Sequence, residues 1–358
     1  MYKICDWKKN FEDNIRIQRK FLEGFETMMH LNDTKPGFSE KTEVYAEDKM
    51  RLYHYKPLKK DIVSVPTLII YALVNRETMM DLQEDNSFVK NMLDDNQDLY
   101  IIDWGYPTQE DMYLTLEDYI EEYIFNAVEA VKEDSGSEKI NILGVCQGGT
   151  LSLIYSALHP ENVNALVTMV TPVDFSTDDG LLFRWSKNLD IDKMVDAYGV
   201  IPGDFMNNGF LTLKPISLMI SKYLNLIDDF DKPDVMHNFL TMENWIFDSP
   251  GQAGETIRQF INDLYKKNKL VKGELMIGKK QVNLKNITMP VLNIYAEKDH
   301  IVPPESSKPL DQYVGTKDIE THSIPTGHIG MYVSSKSKRQ VAPLISEWLK
   351  KKSKSLKK

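Results

Sequence analysis

A chain of 358 residues can bury a sizeable core, and its formal net charge of −10 argues against a general nucleic-acid binder. Its 42% hydrophobic and 27% charged residues are ordinary for a globular protein, and two cysteines, Cys5 and Cys146, are too few for a disulfide framework. The longest uncharged apolar run, 65–74, is about half of what a membrane span requires, and the opening MYKICDWKKNFEDN lacks the apolar stretch of a secretory signal. A cytoplasmic chain with no membrane span is therefore expected.

In chain order, residues 7–30 alternate charge and bulk at helical spacing and predict a leading amphipathic helix. The stretch 42–57 has two aromatic, branched arms about an Asp-Lys centre and predicts a hairpin. Four short apolar runs follow, PTLIIYA (66–72), DLYIID (98–103), KINILG (139–144) and NALVTMVT (164–171), separated by helix candidates at 77–93, 113–133 and 148–158. Runs this apolar suit parallel strands covered on both faces, so an α/β fold with a mostly parallel sheet is expected. The alternation stops near Phe175. Residues 175–289 read as helical, rich in Met and aromatic residues and without clear strands, before PVLNIYA (290–296), DIETHSI (318–324) and a closing helix over 336–350. The expected organisation is an N-terminal helical segment (1–40), an α/β core (41–174 and 290–358) and a helical cap or lid (175–289). A separate docking domain is the alternative for that insertion. The lysine-rich tail reads as a solvated end.

The strongest local signal is Gly144-Val145-Cys146-Gln147-Gly148-Gly149, between the strand INIL and the helical stretch TLSLIYSALH. A G-x-C-x-G run between strand and helix is the context of a nucleophile elbow. Cys146 would stand at a helix amino terminus, where the dipole favours a thiolate, with the Gln147 N–H aimed at the developing oxyanion. The second oxyanion donor is expected from the loop after PTLIIYA, at the Val74 N–H. A buried structural cysteine or a phosphate-binding turn would explain the hexapeptide alone. Two later segments favour catalysis: Asp299 follows the strand PVLNIYA, and His328 sits in PTGHIG after DIETHSI. The order nucleophile, acid, histidine is that of the α/β-hydrolase fold. Asp174, after the strand at 164–171, is the rival acid. The other histidines lack paired-ligand spacing, so no metal is expected.

GVCQGGT, YALVNRETMMDLQEDNSFV, IIDWGYP, NWIFDSPGQAGETIRQF, YAEKDHIVPP and GHIGMYVS resemble signatures of the polyhydroxyalkanoate synthases, across about residues 40–350. The resemblance is to the catalytic subunit of the short two-subunit type, closer to class III than class IV. It implies Cys146 as nucleophile, His328 as base and Asp299 as acid, and (R)-3-hydroxyacyl-CoA, 3-hydroxybutyryl-CoA above all, as substrate. It further implies a growing polyester chain, a second non-catalytic subunit, a homodimer or hetero-oligomer, and a place at the surface of polyester granules. CoA would be a released product, and no cofactor is implied. Trp245, Phe247 and Phe210 are candidate cap residues lining the site, and Arg76 and Arg184 are candidate CoA contacts. Two rivals stand beside this reading: a cysteine-dependent hydrolase of small esters, lactones or thioesters, and a granule-binding protein with an idle site.

Overall fold

The computed structural model describes residues 37–355 apart from 86, 227, 228 and 231, together with residues 15, 16 and 19. Ile15, Arg16 and Arg19 are helical; the rest of the leading helix expected over 7–30 lies outside the described residues, as do Cys5, Asp228 and Asp231. Every strand expected of the core is present. β1 (Lys41–Glu47) and β2 (Met50–Tyr55) form the hairpin, turning at Asp48, whose φ of 48° lies in the left-handed region. β3 (Thr67–Ile70), β4 (Leu99–Asp103), β5 (Ile140–Val145), β6 (Val163–Met169), β7 (Val291–Ala296) and β8 (Ile319–Ile324) follow. They make one eight-stranded sheet in the order β1-β2-β4-β3-β5-β6-β7-β8. The β1–β2 and β2–β4 pairings are antiparallel and the others parallel.

Every residue of β3 to β6 is buried, which is why these strands read as continuous apolar runs. Successive side chains still point to opposite faces. Leu68, Ile70, Tyr100, Ile142 and Leu166 join the core on one face, under α2 (Phe125–Ser135) and α3 (Gln147–Leu158). Ile69, Ile101, Leu143 and Val167 join the core on the other, under α1 (Phe88–Asp94) and the C-terminal helix, Ala342–Ser355.

Two expected helices are shorter than their periodicity suggested. Over 77–93 only a 3-10 turn (Glu77–Met80) and α1 form. Between them the buried Asp81 carboxylate accepts from the Ser39 N–H at 2.6 Å and from the Ser87 hydroxyl at 2.5 Å, while the Ser87 oxygen caps α1 by accepting from the Lys90 N–H. That knot of local side-chain bonds replaces the helical ladder. Over 113–133 the helix starts only at Leu116, where the Asp118 carboxylate accepts from the Thr115 N–H, and passes through a π turn (Asp118–Ile124) into α2.

Residues 175–289 are mainly helical, as expected: α4 (Leu181–Asn188), α5 (Ile191–Tyr198), α6 (Gly203–Thr212), α7 (Lys222–Leu226), α8 (Pro233–Phe247) and α9 (Gly254–Gln259). The expected absence of strands is not met. Two ribbons of two-residue strands occur, Val200–Ile201 with Gln252–Ala253 and Met276–Ile277 with Lys280–Gln281. Phe175, Phe183, Phe260 and Tyr265 stack edge-on and face-on with centroids 4.8–6.1 Å apart and belong to the core cluster on the α3 face.

Candidate active site

β5 runs into Cys146 and α3 leaves it. The backbone of Cys146 has φ 54° and ψ −125°, a conformation that L-residues rarely adopt, and its N–H donates to the Met169 carbonyl at 2.9 Å. The sequence permits so sharp a turn because its flanks carry no side chain. A Cβ on Gly148 would stand 2.2 Å from the Ile70 carbonyl oxygen, and one on Gly144 would stand 2.6 Å from the Gly149 Cα. The thiol is thereby presented at the carboxyl edge of the sheet. The Gln147 N–H opens α3, where donors have no partner within the helix.

His328 and Asp299 arrive from the loops after β8 and β7. The His328 Nδ1–H donates to Asp299 Oδ2 at 2.7 Å. Asp299 Oδ1 accepts from the Ile301 and Val302 N–H groups, both at 2.9 Å, so the carboxylate is fixed in orientation. Cys146 lies close enough to the imidazole to act on it from beside this pair. Burial alone would push the imidazole down, but the Asp299 carboxylate and Cys146 outweigh it and lift His328 to about 10. His328 thus holds its proton at neutral pH.

The rival acid does not reach the histidine. Asp174 accepts from Ser176 N–H, Asn268 Nδ2 and the Tyr313 hydroxyl at 2.8–2.9 Å; burial raises its pKa, but these donors outweigh it and hold the carboxyl below its usual range. His159 pairs with Glu121 at 3.2 Å and stacks on Tyr155, and His54 lies between Asp98 at 2.8 Å and Asp134 at 3.1 Å. His300 is half-buried beside the site, where burial first, and Lys214 and His328 after it, lower its pKa against Asp299. Among the described residues no group of three or more His, Cys, Asp or Glu is placed to hold a metal ion.

Cys146 stands in the wall between two cavities. The larger, about 390 Å³, lies under the 175–289 segment and is lined almost wholly by apolar side chains, among them Trp185, Phe205, Met206, Phe260 and Tyr265. The smaller, about 140 Å³, holds His328, His300, Trp245 and Met242. Val74, Cys146, Phe210 and Ile301 line both. Trp245 and Phe210 are therefore at the site, whereas Phe247 is 56% exposed and is not. The Arg76 guanidinium is engaged by Glu77 at 3.1 Å and Asp103 at 2.8 Å, and Arg184 lies exposed on α4.

Sequence reasoning passed over two contributors. Tyr332, one helical turn after His328, is fully buried, and its hydroxyl stands 3.4 Å from Nε2. The i to i+4 spacing in GHIGMYV was the available signal. The Gln147 side chain accepts from the Leu73 N–H at 3.1 Å and so ties the Val74 loop to the elbow, which no local pattern announces.

Residues 65–335 match the alpha/beta hydrolase fold family. Among solved structures, an esterase from Thermogutta terrifontis superposes with a TM-score of 0.51 at 14% identity, covering 88% of this chain and 99% of its own; the likeness is one of fold. Three curated relatives are far nearer in sequence. The poly(3-hydroxyalkanoate) polymerase subunit PhaC of Allochromatium vinosum is 50% identical over 94% of this chain and 96% of the relative. That of a Synechocystis species is 50% identical over 96% of this chain and 93% of the relative. The subunit PhaC of Haloferax mediterranei is 40% identical over 90% of this chain and 66% of the relative. With a sheet in this order, an elbow at Cys146 and half of its residues shared with such relatives, the chain belongs to the poly(3-hydroxyalkanoate) polymerase subunit PhaC family, on an α/β-hydrolase fold.

Proposed function

We propose that this chain polymerises (R)-3-hydroxyacyl-CoA, with 3-hydroxybutyryl-CoA the expected substrate, into polyester with release of CoA. One observation carries the reading: a cysteine on a strained elbow faces a buried His328–Asp299 pair at the edge of an apolar chamber of about 390 Å³. The Cys146 thiolate attacks the thioester carbonyl, and the oxyanion forms against the N–H groups of Gln147 and Val74. Collapse breaks the C–S bond to CoA, which leaves with the Nε2 proton of His328. The acyl group stays activated because one thioester has replaced another. A 3-hydroxyl then attacks the Cys146 thioester; its proton passes to the now neutral Nε2 of His328, and Cys146 leaves as thiolate, restoring the pair.

The apolar lining supports chain growth over hydrolysis, because water is poorly held in such a chamber. The 175–289 segment is the cap in this reading, and its apolar inner face accommodates the polyester. CoA is a product and no cofactor takes part. The relatives are polymerase subunits by name, which supports a partner subunit here. A homodimer or hetero-oligomer at the granule surface in the cytoplasm completes the reading. No helix among the described residues is long and apolar enough to cross a membrane.

The test follows free CoA and turbidity from (R)-3-hydroxybutyryl-CoA, with and without a candidate second subunit, beside a Cys146→Ala variant. CoA release with insoluble polyester, reduced more than about 10³-fold in the variant, is expected. CoA release yielding only free hydroxy acid would instead establish the hydrolase.

A further inference from the structure

The loop 73–76 is held from two sides. From the core, Gln147 Oε1 accepts from the Leu73 N–H at 3.1 Å. From the segment 175–289, a single turn at the end of α8 supplies further ties. The buried Trp245 donates its Nε1–H to the Arg76 carbonyl at 2.7 Å, and the Ser249 hydroxyl, whose one proton is shared between the Asn75 side-chain oxygen and the Ile246 carbonyl at 2.9 Å, joins that turn to Asn75. Asp248 accepts from the Tyr106 hydroxyl at 2.6 Å, and that hydroxyl in turn accepts from the Arg76 guanidinium. Asn75 adopts φ 61°, in the left-handed region that asparagine enters more readily than most residues. Val74 lies between the two anchors, beside Cys146 in the walls of both cavities.

We propose that Trp245 and Ser249 are positioning residues for acyl transfer: the 245–249 turn sets the Val74 N–H, and the oxyanion site is complete only while the cap is seated. This rests on the reading of Cys146 as the acylated nucleophile. A lifted cap admits water to the acyl-enzyme but at the same moment releases the loop, so hydrolysis loses the stabilisation that transfer enjoys. The device protects the thioester during any opening that passes a long chain.

The test compares single-turnover CoA release with alkylation of Cys146 by iodoacetamide, a displacement that forms no oxyanion. Ser249→Ala and Asn75→Ala are each expected to slow CoA release about 10- to 100-fold, since misplacement by an ångström carries losses of that order. KM for the acyl-CoA and the alkylation rate should stay within about twofold. The double variant should lose no more than either single variant, as for two ends of one bond. Ser249→Thr, which keeps the hydroxyl, should restore the rate. If either alanine variant fails to fold, Trp245→Phe keeps the aromatic bulk, removes only the N–H, and is read in the same way. Unchanged CoA release, additive losses, or alkylation falling in parallel would each overturn the proposal. CoA release persisting in Cys146→Ala would instead overturn the nucleophile reading, which keeps the two failures apart.

Discussion

In the proposed reaction His328 performs opposite tasks in the two half-reactions, and Asp299 weighs on them unequally. Donating a proton to departing CoA needs no strong base, but taking one from an aliphatic hydroxyl does. Asp299 is the foremost of the groups that raise His328 against its burial. Asp299→Asn should therefore slow elongation about tenfold more than first acylation. Single-turnover CoA release and polymer yield, measured side by side, check this; equal losses would contradict it. The pH dependence has a definite sign. With His328 at about 10, its proton is in place from acid pH until the pH approaches that value, and acylation loses its acid above it. Asp299→Asn lowers the histidine, so the alkaline limb of acylation should move to lower pH. A limb that stays in place would show that another group donates the proton.

At the scale of elements, the elbow depends on how closely α3 approaches the end of β3. Gly148 lies against the backbone oxygens of Ile70 and Tyr71, neither of which can rotate away. Gly148→Ala should cost about 1–3 kcal/mol of stability, the range of overpacking in a tight core, and should displace the loop that carries Val74. Calorimetry reports the first effect and single-turnover acylation the second. The elements of 175–289 are held less evenly. Ile216 is 71% exposed and Leu224 59%, and no residue of 216–221 is buried, whereas Phe183 and Leu264 are fully buried. Amide exchange should accordingly be faster by orders of magnitude over 203–226 than over β3, β5 and β6. Uniform protection across both would refute that ranking.

Across the whole molecule, what could be read from the residues follows from what is local. Strands covered on both faces become unbroken apolar runs, so β3 to β7 were legible, and with them the sheet-edge positions of Cys146 and Asp299. Breaks inside 77–93 were not, because Asp81 is claimed by Ser39, 42 residues away. The choice of Asp299 over Asp174 rested on its place in the loop after a late strand, and the geometry that pairs Asp299 with the imidazole is tertiary. The bonds from the α8 turn to the Val74 loop span 169 and 174 positions and leave no periodic trace. Phe247 was read as a lining residue because its composition fits, but helical phase turns it to solvent while Trp245, two positions earlier, faces in.

The positive φ of Cys146 carries a consequence for heat resistance. A β-carbon at φ 54° is a strain of about 1–3 kcal/mol that a glycine would not feel. Cys146→Gly should thus abolish turnover while raising the melting temperature by a few degrees, for about 1 kcal/mol gained in a chain of this length. The dead protein would outlast the living one on heating, and the difference in their melting points would measure how much durability this polypeptide forgoes in order to hold a sulfur atom where it can react.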